Sequence, residues 1–177
     1  MRFFTNVGVV AIVLTALTAC APDAKEDPAV IAMRTTADVE AAMLAAVDTL
    51  IGVWDTKELD KLDAIAVADY KRTAPDQNAG SLDELKAFIA QTHETYPDFS
   101  IMNDGSAASP DGAFVQWTAT GTFAGEGEQT TGGNAFKVSG ISRYQFADGK
   151  IVSEFVAFDS AAVLAQIQAS SMPHAEE

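Results

Sequence analysis

The 177-residue chain has one cysteine, Cys20, and two histidines, His93 and His174. With a single cysteine no disulfide can form within the chain, and a cysteine-based metal site is ruled out as well. The histidines fall far apart, one near the apolar edge of a predicted helix and one in the C-terminal tail. They give neither a metal-ligand cluster nor a Ser-His-Asp arrangement. Basic residues are also scarce, 11 against 25 acids for a net charge of −14, which repels nucleic-acid backbones. No apolar run is long enough to cross a bilayer, since Val7 to Leu17 falls short of the ~20 residues needed. No internal repeat is visible. The Gly-rich stretch "GEGEQTTGGN" (125–134) lacks the GK[ST] of a phosphate loop and reads as a polar rim loop.

What the chain does have is 48% apolar residues in a one-domain length, enough for a core. The first nineteen residues stand apart from it. Arg2, the apolar run and "LTAC" (17–20) have the layout of a signal peptide. "LTAC" resembles the bacterial lipobox, in which the cysteine is lipidated and becomes the first mature residue. That resemblance implies anchoring through Cys20, and Ala21 after it implies an outer-membrane address facing the periplasm. "APDAKEDP" (21–28) is small, charged and proline-bearing, as a tether should be. The expected division is 1–19 signal, 20–34 lipidated cysteine and tether, 35–168 domain, and 169–177 disordered tail.

Within the domain the period is helical first. Thr35 and Asp38 form a capping pair before the stripe Val39, Met43, Val47, Leu50 and Trp54. A second helix is predicted over 57–68 on Leu59, Leu62, Ile65 and Ala66. "SLDE" (81–84) is a capping box for a third, which Pro97 closes. The period then changes to strands: 99–103, 113–124 after the turn "SPDG", 135–146, and 150–159 after the tight turn "ADG". A last helix, 160–168, starts at an N-cap, Asp159. This order predicts an α+β fold, a curved antiparallel sheet with helices over one face and a hollow between them.

The segments "YPDFS" (96–100), "WTATGTFAG" (117–125), "SGISRYQFADGKIVSEFVAFD" (139–159) and "VLAQI" (163–167) resemble the SnoaL-like polyketide cyclases, of the nuclear-transport-factor-2-like superfamily. The resemblance implies a cone-shaped, cofactor-free domain that often dimerises through its sheet, with an apolar cavity where cyclases close a ring by proton transfer. The family's acid/base aspartate aligns with Val156, and its recurrent histidines align with Ser142, Thr73 and Phe123. None of these four residues exchanges a proton near neutrality, so classical cyclase chemistry is not expected.

The resemblance implies that the aspartate's position, Val156, faces the cavity, and strand alternation then puts Val152, Glu154 and Phe158 on the same face, opposite Phe136, Val138, Gly140, Ser142, Tyr144 and Phe146. Glu154 is the one acid of this set. Burial among apolar neighbours would disfavour its charge and make it a proton shuttle. Alternatively it is a solvated charge paired with Arg143 or Lys137 across strands. Ser142, Tyr144, Val156, Phe158, Phe123 and Trp54 are the expected ligand contacts, although Trp54 and Trp117 equally suit a core role. Three functions stay open: a binding domain for a small, largely apolar molecule; an isomerase, lyase or cyclase using Glu154; and an envelope scaffold or homodimer using the far sheet face around Phe155.

Overall fold

The computed structural model describes residues 28–123 and 134–169, so the lipobox, the Gly-rich loop and the tail lie outside it. Helix α1 (Pro28–Thr56) leads through a 3₁₀ turn (Leu59–Lys61) into the four-residue α2 (Leu62–Ile65). Strand β1 (Ala66–Thr73), helix α3 (Leu82–Thr95) and strands β2 (Ser100–Ser109), β3 (Gly112–Thr122), β4 (Ala135–Ala147) and β5 (Lys150–Phe158) follow, and α4 (Ser160–Ala169) ends the described chain. The strands form one open, curved sheet in the order β1-β5-β4-β3-β2. Register shifts between Asn103 and Gly105 and between Gln145 and Phe146 mark the irregularities that bend it. The α+β architecture expected from the sequence is the observed one. No described helix is long and apolar enough to cross a membrane.

Four local readings need correction. Helix α1 begins at Pro28 rather than near Thr35, because proline suits the first turn, where its missing N–H costs nothing. Thr36 bonds back to the Ala32 carbonyl at 3.0 Å inside the helix. Val39, assigned to the apolar stripe, is exposed, whereas Val47, Leu50 and Trp54 are buried as expected. The second helix is only Leu62–Ile65, and the residues after it form β1, which pairs parallel with β5. Its sequence "AVADYKRT" has little β propensity. What holds it extended is tertiary pairing and the burial of Ala66, Tyr70 and Arg72. Finally, the shift near Phe146 pairs that residue with Ile151, so Ile151 and not Val152 is the fully buried residue there.

Local chemistry explains the remaining boundaries. Ser81 accepts from the Glu84 amide at 3.2 Å, and Glu84 reaches back to the Gly80 amide at 2.7 Å, starting α3. Asp159 caps α4 through the Ala162 amide at 2.9 Å, as its position predicts. Asp148 and Gly149 have φ of 49° and 76°, the left-handed pair of a two-residue hairpin turn. Helix α4 is tied to β4 by one side chain: Gln166 accepts from the Lys137 amide at 2.9 Å and donates to its carbonyl at 3.2 Å.

The sheet has two distinct faces. Ala113, Val115, Trp117 and Ala119 of β3 point to the helices, and Phe114 points away. Phe114, Ile141 and Phe155 are exposed on the outer face, with Arg143 between the two phenylalanines in register. On the inner face, the Trp117 ring occupies the space over Gly140. A Cβ at Gly140 would sit 2.4 Å from that ring and 2.9 Å from the Ala157 carbonyl. Gly140→Ala is therefore expected to cost about 1–3 kcal/mol by overpacking, read from urea denaturation. An unchanged midpoint would show that Trp117 does not need the space.

Candidate active site: a charged row at the end of an aromatic cavity

Three adjacent strands bring Arg72, Glu154 and Tyr144 into one row, Arg72 opposite Glu154 on β1–β5 and Glu154 opposite Tyr144 on β5–β4. All point to the helix side. Glu154 is 5% exposed and Arg72 6%, and Tyr70 and Tyr144 are fully buried. Each carboxylate oxygen of Glu154 accepts from a phenol, Oε2 from Tyr70 at 2.8 Å and Oε1 from Tyr144 at 2.9 Å. Arg72 Nε lies 3.5 Å from Oε2, too poorly aligned for a hydrogen bond but close enough to pair the charges.

The other end of the guanidinium is held by the loop after β1. Nη1 donates to Asp76 Oδ1 at 2.9 Å and to the Gln77 carbonyl, and Nη2 donates to Asp76 Oδ2 at 3.3 Å. That loop is pinned by a two-way backbone bridge between Arg72 and Ala79, at 2.8 and 3.0 Å. The guanidinium carbon lies 5.1 Å from the Phe88 ring centre and 5.7 Å from that of Trp54, within cation–π range. Buried charge is costly unless it is paired and hydrogen-bonded, and here both partners are.

Next to this row lies a cavity of about 390 Å³ between the inner sheet face, α1, α3 and α4. Its walls are largely apolar and include the rings of Trp54, Phe88, Tyr96, Phe99, Trp117, Phe136 and Phe158. Its charged lining residues are Arg72, Asp76 and Glu154. Ser142 also lines it and accepts from Trp117 Nε1 at 3.1 Å.

The expected ligand contacts divide accordingly. Glu154, Ser142, Val156, Phe158 and Trp54 line the cavity. Tyr144 does not: its ring is fully buried and its hydroxyl is taken by Glu154. Phe123 stands at the edge of the undescribed loop, its ring centre 6.2 Å from that of Tyr96, and is not part of the lining. The partners considered for Glu154, Arg143 and Lys137, are not its neighbours, because Arg143 pairs in register with Phe155 and Lys137 with Thr120. Nor is Glu154 set among purely apolar groups. His93 is structural, with Nε2 2.8 Å from the Trp54 carbonyl. Among the described residues no cluster of three or more His, Cys, Asp or Glu could hold a metal.

Tyr70, Arg72 and Asp76 were not predicted. They sit on or just after a strand whose residues read as helix followed by loop. The one available signal was the alternation of Tyr70 and Arg72, too short to outweigh the helical reading of the residues before them.

Burial and then the Glu154 charge push the Tyr70 and Tyr144 hydroxyls well above the usual 10.0, and burial raises Tyr96 as well. These are the chain's three tyrosines. A raised folded-state value means that stability is intact below pH 10 and falls as pH rises through the unfolded-state value. Phenolate absorbance from Tyr70 and Tyr144 is therefore expected to appear only together with alkaline unfolding, with the half-buried Tyr96 ionising before them. Native-state titration of more than one tyrosine near pH 10 would contradict the burial described. Tyr70→Phe and Tyr144→Phe should each cost about 1.5–3 kcal/mol in urea denaturation, the range for a bond to a charged group.

Comparison with known proteins agrees with this architecture. The profile of the SnoaL-like polyketide cyclase family matches residues 44–167. No curated protein matches the chain. Among solved structures, a protein from Jannaschia sp. CCS1 classed as a SnoaL-like polyketide cyclase superposes with a TM-score of 0.64 at 18% identity, over 76% of this chain and 96% of that one. IdmH from Streptomyces antibioticus, classed as a polyketide cyclase, gives 0.62 at 18% identity over 71% and 98%. A protein of ketosteroid isomerase-like fold from Catenulispora acidiphila, in complex with trimethylamine, gives 0.59 at 16% over 72% and 97%. With an aromatic cavity closed by an open five-stranded sheet, and a family match over most of its length, the chain belongs to the SnoaL-like polyketide cyclase family.

Proposed function

We propose that the protein binds a small, largely apolar molecule in its aromatic cavity and does not carry out acid/base cyclisation with Glu154. The observation that carries this reading is the commitment of Glu154 to the row. Each of its oxygens accepts a tyrosine donor, Arg72 faces it and only 5% of it is exposed, so its carboxylate is held by the protein at the cavity's end rather than presented to a substrate. Val156, the position that the sequence resemblance gives to the family's aspartate, lines the same wall and has no proton to give. A volume of about 390 Å³ lies within the range of small-molecule sites and matches their pattern of apolar walls with a few polar groups.

The lipobox reading adds a location. Acylated at Cys20, the domain would work at the periplasmic side of the outer membrane, held by several acyl chains, since a single chain anchors only marginally. Cys20→Ser is expected to release the protein into the soluble periplasm, and retention in the membrane fraction would refute the anchor. Native mass spectrometry of that soluble variant tests the binding reading directly. A retained, non-covalent small molecule is expected in at least some growth conditions. Spectra empty throughout, or proton-transfer turnover that Glu154→Gln alone abolishes, would overturn it.

A further inference from the structure

We infer that the cavity is built against anionic ligands, with Asp76 as the residue that sets this selectivity. The inference rests on the binding reading above and specifies the ligand class: an apolar body whose polar end carries no negative charge. A buried arginine in an apolar cavity would ordinarily be the anchor for a carboxylate, which it grips with two parallel N–H groups. Here that fork is already spent. Both Nη atoms face Asp76, at 2.9 and 3.3 Å, and Nη1 also gives to the Gln77 carbonyl. Nε has its edge toward Glu154 and has no surface open to the cavity. At most one of the five N–H groups is left for a ligand, so no parallel pair is available.

The charge count points the same way. The described lining contains one cation, Arg72, and two anions, Asp76 and Glu154. An incoming carboxylate would therefore meet a net negative end in a low-dielectric wall, where like charges repel most strongly. The two acids are not equivalent. Glu154 is locked by two phenols and supports the sheet row, whereas Asp76 sits on the loop with its side chain 33% exposed. Asp76 can lose its charge while keeping an acceptor for Nη1, and a neutral residue there leaves Arg72 and Glu154 balanced.

Calorimetric titration of the full-length Cys20→Ser protein with matched probes tests this. The pairs are naphthalene-methanol against naphthoate and decanol against decanoate. The wild-type cavity should favour each alcohol over its carboxylate by about tenfold or more. Asp76→Asn should tighten each carboxylate relative to its matched alcohol by about tenfold, with the thermal midpoint reporting that the variant is folded. Equal wild-type binding of alcohol and carboxylate would overturn the inference, and so would an alcohol-to-carboxylate ratio unmoved by Asp76→Asn. Should the variant fail to fold, the wild-type ratio decides alone. If no probe binds the wild type, the ligand-binding reading itself fails; if probes bind without discrimination, only the charge selection does.

Discussion

The pairing of Arg72 with Glu154 across β1 and β5 is the constraint on which the rest of the site depends. An unpaired carboxylate at 5% exposure would be untenable beside an apolar cavity. The arginine compensates its charge, two tyrosines satisfy its oxygens, and Asp76 with the Gln77 carbonyl satisfies the arginine in turn. Each member is supported by another on a different element, so the network joins β1, β4, β5 and the loop before α3 into one unit. Buried networks of this kind specify a structure when nearly every member is satisfied. The one buried side-chain atom among the described residues without a hydrogen-bond partner, Arg72 Nε, faces the carboxylate that neutralises it.

That arrangement changes what the cavity can do. Val156 lines the wall, and Glu154, two residues before it on the same strand face, is committed to the charged row. The hollow keeps its aromatic walls, with Trp117 placed over Gly140 and in edge-on contact with Phe158, 5.7 Å between ring centres. Helix α4 closes one side, fixed by the Gln166 clamp on Lys137. The result is a largely apolar cavity with a charged, self-satisfied end, and the binding proposal rests on that arrangement.

Much of this could be read from the residues. Strand alternation gave the inward faces of β4 and, beyond the bulge, of β5, the Asp148-Gly149 turn fixed the hairpin, and Ser81 and Asp159 marked helix starts through their side chains. Glu154 was placed on the inner face because a period of two is insensitive to what lies opposite. What lay opposite was hidden. Strand β1 pairs parallel across more than seventy residues of intervening chain, and its "AVADYKRT" has the composition of a helix or loop. Local propensity cannot announce a strand made by tertiary pairing. With β1 unread, Arg72 and Tyr70 were missing from the site, and Glu154 looked like an isolated acid that could shuttle protons. The shift that replaced Val152 with Ile151 was hidden for a related reason, since a bulge leaves alternation intact on both sides of itself.

The central claim, that Glu154 serves as the counter-charge of Arg72, is tested most directly by a double-mutant cycle in folding stability. Arg72→Met, Glu154→Gln and the pair should show a coupling on the order of 1–3 kcal/mol, with the double variant less destabilised than the two single losses added together. Additive losses would contradict the account, leaving Glu154 held by the tyrosines alone and open to a catalytic role.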